Sequence, residues 1–254
     1  MDCKPDFERR KEPDRLHRTP ARLDFMQSAT GLILALFIAG HLVFEASILL
    51  GKDAMYAMTR FFEGYYFFGD SYPIIISIIA LGVFAVFISH ALIAMRKFPS
   101  DYRQYKVMNE HVGRFRHTDT SLWLLQIWTG FAMFFLGSVH IYMMLSAPGD
   151  IGPYASADRI VGGWLWPLYA MLIISVVIHA AIGVYRLCLK WGWFEGKNSK
   201  RSRIVLRRVT FALMAGYMLL SFASLATYIS IGIEHADKAG ERYHPAETAL
   251  QEHE

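Results

Sequence analysis

Five stretches of this chain are almost free of charge: residues 25–51, 73–95, 121–147, 164–185 and 209–233. The shortest holds 22 residues. A helix rises about 1.5 Å per residue, so about 20 residues cross a hydrocarbon layer of about 30 Å. Each stretch is therefore predicted to be a transmembrane helix, spans I to V in chain order. Between them the pattern turns polar. Loop 52–72 carries Phe61-Phe62-Glu63-Gly64-Tyr65-Tyr66-Phe67-Phe68, aromatic enough to lie in a membrane interface. Loop 97–120 is polar and expected to be partly helical. Loop 148–163 holds Pro148-Gly149 and Gly152-Pro153, both turn signals. Trp164 and Trp166 at one interface, and Trp191 and Trp193 at the other, suit aromatic belts. No internal repeat of fixed period is expected. The first 22 residues are charged, broken by Pro5, Pro13 and Pro20, and lack the apolar region of a signal peptide. Span I is thus expected to be retained.

The fold expected is all-α: an integral membrane bundle of five transmembrane helices over residues 23–233. A polar arm, 1–22, precedes it, and a loose, exposed tail, 234–254, follows. The chain has 254 residues, 54% of them hydrophobic, with a mean hydropathy of +0.27. Lys and Arg set the orientation. The N-terminal segment, loop 96–120 and loop 186–208 carry seven, six and eight; the alternate segments carry two, one and two. The N-terminus is expected in the cytoplasm and the C-terminus outside. The pI near 9.0 follows from this basic face and calls for no nucleic acid. Cys3 and Cys188 both fall on the cytoplasmic side, where a structural disulfide is not expected. No C-x-x-C-H attaches a haem covalently, and no cysteine pattern suits an iron–sulfur cluster.

Ten histidines occur. His17, His111, His117, His235, His244 and His253 lie outside the spans and read as solvated surface residues. His41, His90, His140 and His179 lie inside spans I, II, III and IV. The other ionisable residue inside those spans is Glu45. Intramembrane ionisable groups are costly and point to function. His41 lies 19 residues past Arg22, and His140 lies 19 past Ser121, which sets both toward the outer side. His90 lies six residues before Arg96 and His179 seven before Arg186, which sets both toward the inner side. Two imidazole pairs at two depths suit two six-coordinate haem irons, about 15–20 Å apart in depth. Zinc would draw its ligands to one point. Gly40, Gly137 and Gly183 lie beside these histidines and read as gaps for a macrocycle, or as ordinary helix packing. Lys97 and Lys190 are placed for inner propionates and Arg159 for outer ones. As positive-inside residues, Lys97 and Lys190 need no such role.

A family is visible in these residues. Leu23-Asp24-Phe25-Met26-Gln27-Ser28-Ala29-Thr30-Gly31, Gly40-His41, Phe87-Ile88-Ser89-His90-Ala91 and Ala94-Met95-Arg96-Lys97-Phe98-Pro99 carry it. So do Thr129-Gly130-Phe131-Ala132-Met133-Phe134-Phe135-Leu136-Gly137-Ser138-Val139-His140, Tyr185-Arg186-Leu187 and Lys190-Trp191-Gly192-Trp193-Phe194. The chain resembles the dihaem cytochrome b subunit of quinol:fumarate reductases, in the succinate dehydrogenase and fumarate reductase superfamily, of the single five-helix type. The resemblance implies two haem b groups, a distal one on His41 and His140 and a proximal one on His90 and His179. It implies Lys97, Lys190 and Arg159 as propionate contacts, with Gln27, Ser28 and Trp123 lining the haem sites. Glu63 matches a carboxylate at the menaquinol site; alone it would read as a solvated loop charge. The implied role is an electron-transfer anchor in the bacterial inner membrane, surrounded by lipid. It would oxidise menaquinol near the outer face and serve an iron–sulfur subunit and a flavoprotein that reduces fumarate.

Two other readings stand beside this one: the same fold run backwards as a succinate:quinone reductase, and a haem-free transporter whose histidines relay protons. One residue departs from the family. Some relatives place a glutamate two residues before the proximal histidine of span IV, in a proton path. Here that position is Val177. Glu45, one turn past His41, is the remaining candidate for a proton route, or else bonds a neighbouring helix.

Overall fold

The computed structural model describes residues 18–98, 101–114 and 118–245. Five helices dominate: α1 (Thr19–Glu45), α4 (Ile74–Met95), α6 (Thr118–Ser146), α8 (Trp166–Trp191) and α9 (Ser199–Glu234). All five are long and apolar enough to cross a membrane. Four shorter helices join them: α2 (Lys52–Phe62), α3 (Tyr65–Phe68), α5 (Tyr102–Arg114) and α7 (Pro153–Val161). Among the described residues there is no strand. The molecule is the all-α membrane bundle that its apolar pattern predicts. Residues 1–17 of the expected arm, with Cys3 and His17, lie outside the described residues, as do His117 and His253.

The helices end where local chemistry dictates. Pro20 starts α1 and Pro153 starts α7, where a missing N–H costs nothing. Past Glu45 the chain tightens into a 3₁₀ turn, Ala46–Leu50, and stops at Gly51. Helix α9 begins ten residues before the apolar stretch at 209, because Arg201, Arg203, Arg207 and Arg208 end a span without ending a helix. Its 36 residues are about 54 Å long, more than a bilayer needs.

Helix α1 packs on α4 and α8, α4 on α6, and α6 on α8, closing a ring of four; α9 lies outside it against α8 and α7. Large apolar side chains point outward, Leu36 at 66% exposure and Ile78 at 64%. No side chain of α4 is buried by protein. Water would penalise such a surface by about 25 cal/mol per Å², whereas lipid does not. The buried apolar cluster lies at one end of the bundle, where Ile48, Met55, Ala157, Ile160, Leu225, Tyr228 and Ile231 meet. Gly232 lets α9 reach α7: a Cβ there would stand 2.7 Å from the Ala157 carbonyl oxygen. The other end carries Asp24, Arg96 and Lys190 and is called the basic end below.

Loop 52–72, expected as an interface loop, contains α2 and α3, and loop 148–163 contains α7. Both short helices have one apolar stripe, which α2 turns toward the 3₁₀ turn and α7 toward α9. The tail is exposed at most of its described positions, as expected, but it is not loose. From His235 to Tyr243 it is tied to the bundle: Gly240 N–H donates to Asp158 at 2.9 Å and the Tyr243 hydroxyl to Asp53 at 2.6 Å. His235, expected on the surface, is buried; its ring stacks on Tyr154 at 3.9 Å, with Nδ1 3.2 Å from Asp158.

Candidate functional site

The four helices of the ring each bring one histidine inward, at two levels. Toward the basic end, α4 supplies His90 and α8 supplies His179. Each packs on a glycine of the neighbouring helix. A Cβ at Gly31 of α1 would stand 3.0 Å from His90 Cε1, and one at Gly130 of α6 would stand 2.8 Å from His179 Cε1. The Thr30 hydroxyl lies 3.0 Å from His90 Nδ1. The Gln126 carbonyl lies 2.9 Å from His179 Nδ1, and the Thr129 hydroxyl 3.5 Å. Since a carbonyl only accepts, Nδ1 of His179 carries the proton, and Nε2 keeps its lone pair.

At the other level, α1 supplies His41 and α6 supplies His140. Their ring centroids are 6.1 Å apart. His41 stacks on Phe37, and His140 meets the Tyr169 ring edge-on. His140 Nδ1 is buried with no hydrogen-bond partner. Among the described residues, no three His, Cys, Asp or Glu side chains converge. Two neighbouring imidazoles with no third ligating side chain are a donor set that would suit haem iron. Ten residues separate Gly31 from His41 along α1, and Gly130 from His140 along α6, so the two levels lie about 15 Å apart.

Each level has polar groups at its rim. At the basic end, Asp24 bonds Arg96 at 2.6 Å, Lys97 at 2.8 Å and Lys190 at 3.1 Å; Lys190 also donates to Ser28 at 3.1 Å. Two of the expected propionate contacts, Lys97 and Lys190, and the expected haem-lining Ser28 thus lie around one carboxylate. Gln27 stands beside them with its side-chain oxygen buried and unpartnered. Trp123 lies half-buried on α6, one turn before Gln126. At the far end, Arg159 of α7 donates to the Asp150 carbonyl and bonds the Tyr169 hydroxyl. Glu45 accepts from the Tyr228 hydroxyl at 3.3 Å.

Glu63 caps the C-terminus of α2. The next residue, Gly64, takes φ 84°, a left-handed conformation that lets α2 stop and α3 begin at once. The Glu63 side chain is buried, though the sequence alone reads it as a loop charge. It lines a cavity of about 170 Å³ with Tyr56, Arg60, Tyr154, Arg242 and His244. Two of those six residues come from the tail. Burial and the bond to Asp53 push the Tyr243 phenol up to about 12.

The glycines singled out from the sequence are not the ones under the rings. Cβ atoms at Gly40 and Gly137 would make ordinary contacts, with Phe44 at 3.7 Å and Phe87 at 3.8 Å, and one at Gly183 would crowd Gln126 at 3.1 Å. The rings rest on Gly31 and Gly130, on partner helices. The missed signal is a repeat. Gln27-x-x-Thr30-Gly31 recurs as Gln126-x-x-Thr129-Gly130, and a histidine follows each glycine by ten residues. The chain therefore does carry an internal repeat, as two copies in alternate helices.

Residues 102–220 match the family model described as succinate dehydrogenase/fumarate reductase transmembrane subunit. The chain is 47% identical over 220 residues to the fumarate reductase cytochrome b subunit of Wolinella succinogenes, covering 87% of this chain and 86% of that one. It is 45% identical over 217 residues to the fumarate reductase cytochrome b subunit of Helicobacter pylori, covering 85% and 84%.

Proposed function

Because the chain belongs to the succinate dehydrogenase/fumarate reductase transmembrane subunits, we propose that it oxidises menaquinol and passes the electrons through two b haems to an iron–sulfur subunit and a flavoprotein that reduces fumarate. In this reading His41 and His140 hold the outer haem and His90 and His179 the inner one. The observation that supports it is the placement of one imidazole on each of the four ring helices. One pair has centroids 6.1 Å apart, and each ring of the other rests on a glycine. Haem iron, when bound, supplies reversible one-electron transfer.

The chain's own residues do the rest. The four histidines hold and orient the macrocycles, and the apolar helices around them exclude water. Lys97 and Lys190 would hold the anionic propionates of an inner haem, with Gln27, Ser28 and Trp123 lining the haem sites, and Arg159 would hold those of an outer haem. Each quinol gives up two protons with its two electrons. Glu63 takes a proton on its carboxylate at the cavity wall and releases it to water at the cavity mouth. The basic end faces the cytoplasm of a bacterial cell, where its cations meet the iron–sulfur subunit.

The test is the absorption spectrum of the purified complex with a redox titration. Two b haems per chain and two midpoints are expected. A chain without a Soret band overturns the reading and leaves a haem-free, proton-relaying transporter. The variant Glu63→Gln should keep both haem spectra under chemical reduction and lose about 100-fold or more in reduction by quinol. Unchanged quinol turnover would mean that Glu63 is a structural carboxylate only.

A further inference from the structure

The two copies of Gln-x-x-Thr-Gly do one job twice. On α1, Thr30 donates its hydroxyl hydrogen to the Met26 carbonyl at 2.8 Å. On α6, Thr129 donates to the Leu125 carbonyl at 2.8 Å. With its hydrogen spent on its own helix, each hydroxyl can meet a neighbouring ring only as an acceptor. Thr30 does so at 3.0 Å from His90 Nδ1, and Thr129 at 3.5 Å from His179 Nδ1. Carbonyls of the same two turns join them: Gln27 bonds His90, and Gln126 bonds His179 at 2.9 Å. The glycine that follows brings each ring close enough, since any Cβ there would stand within 3.0 Å of Cε1. The other pair is built differently. His140 Nδ1 is buried without a partner, and His41 has a stacked phenylalanine but, among the described residues, no hydrogen bond.

We propose that Thr30 and Thr129 are positioning residues that fix His90 and His179 as Nδ1–H tautomers and lower the reduction potential of the inner haem, a control the outer haem lacks. The proposal rests on the histidine ligand reading above. A ligating imidazole that donates its second N–H to an oxygen becomes a stronger electron donor through Nε2, and its orientation is fixed. A stronger donor favours the oxidised, more positively charged metal, so the midpoint falls. The two threonines should not act equally. At 3.0 Å Thr30 makes a good bond, whereas Thr129 at 3.5 Å is at the limit and shares its ring with a closer carbonyl.

The experiment is a redox titration of the purified complex in wild type, Thr30→Val, Thr30→Ser and Thr129→Val. Valine keeps the branched shape and removes the acceptor; serine keeps the acceptor. Thr30→Val should raise one of the two midpoints by about a tenfold change in the reduction equilibrium, about 59 mV for one electron, and leave the other unmoved. Thr129→Val should move the same midpoint by less. Thr30→Ser should stay at the wild-type value. Loss of one haem in Thr30→Val with retention in Thr30→Ser also supports the proposal, because the acceptor alone rescues it. Midpoints unchanged in Thr30→Val, equal shifts of both haems, or equal effects of valine and serine each overturn it. A wild-type complex without haem sinks the ligand reading and this proposal together, and is recognised before any variant is compared.

Discussion

A single hydrogen at Gly130 separates α6 from the imidazole of α8. A methyl group in its place would come within 2.8 Å of His179 Cε1, closer than packed carbons tolerate. Either the ring turns or the two helices part, and overpacking of this kind costs about 1–3 kcal/mol. Gly130→Ala should therefore assemble with the inner haem lost or spectrally shifted, read as haem per chain. Gly31→Ala, at 3.0 Å, should do the same more mildly. His140→Ala is the counterpart at the outer level. Among the described residues no third His, Cys, Asp or Glu side chain joins His41 and His140 to take its place, so the outer haem and quinol-linked turnover should vanish. Fumarate reduction from an artificial donor should persist; a variant that keeps both haems would refute the assignment of His140. The four histidines and their sorting into two depths were legible in the sequence, because charge is rare inside apolar helices and depth follows from counting residues. The glycines under the rings were not. They lie on a partner helix, and the glycines adjacent along the chain, Gly40 and Gly137, read only as gaps for a macrocycle or as ordinary helix packing.

At the scale of elements, the end that holds Glu63 is a small assembly of α2, α7 and the tail. Asp158 is its pivot: it faces His235 Nδ1 at 3.2 Å and accepts from Gly240 N–H at 2.9 Å. Arg242 meets Asp150 at 3.4 Å, and Tyr243 meets Asp53 at 2.6 Å. The tail thereby becomes one wall of the Glu63 cavity. Asp158→Ala removes two anchors together, and each such bond contributes about 1 kcal/mol. The tail should then open locally and often, and trypsin should cut after Lys238 and Arg242 about tenfold faster while the bundle stays intact. Unchanged cleavage would mean that Asp53 and Asp150 hold the tail without Asp158. This end was poorly legible. The sequence marks α2 as part of an aromatic interface loop and α7 as part of a loop with turn signals, because their apolar stripes are short and their partners lie far along the chain. The tail reads as loose because its bonds reach back about 80 to 190 residues, a separation that no local pattern records.

At the scale of the molecule, the proposed function raises the question of where charge would go if electrons cross the bundle. The five spans were legible because lipid demands long apolar runs, but a proton route needs only a few groups. Val177 stands at the position where the family resemblance implies a glutamate in some members, and a buried valine carries no proton. The carboxylate left inside the apolar stretches is Glu45. Its neighbours are Tyr228, which donates to it at 3.3 Å, and Tyr169 and Arg159 beyond. All of these lie at the end opposite Asp24. Twenty-one residues of α1 separate Glu45 from Asp24, a distance of about 31 Å along the helix. This polar group serves the outer level and does not reach the basic end. Electrons crossing without protons work against the potential at about 2.3 kcal/mol per charge per 100 mV. We therefore expect electrogenic turnover: proteoliposomes oxidising menaquinol should build a membrane potential that collapses with an ionophore. Glu45→Gln should leave that potential in place. A wild type that turns over without a potential, made electrogenic by Glu45→Gln, would assign the compensating proton to Glu45. Electroneutral turnover in both proteins would mean that protons cross by a path independent of both Val177 and Glu45.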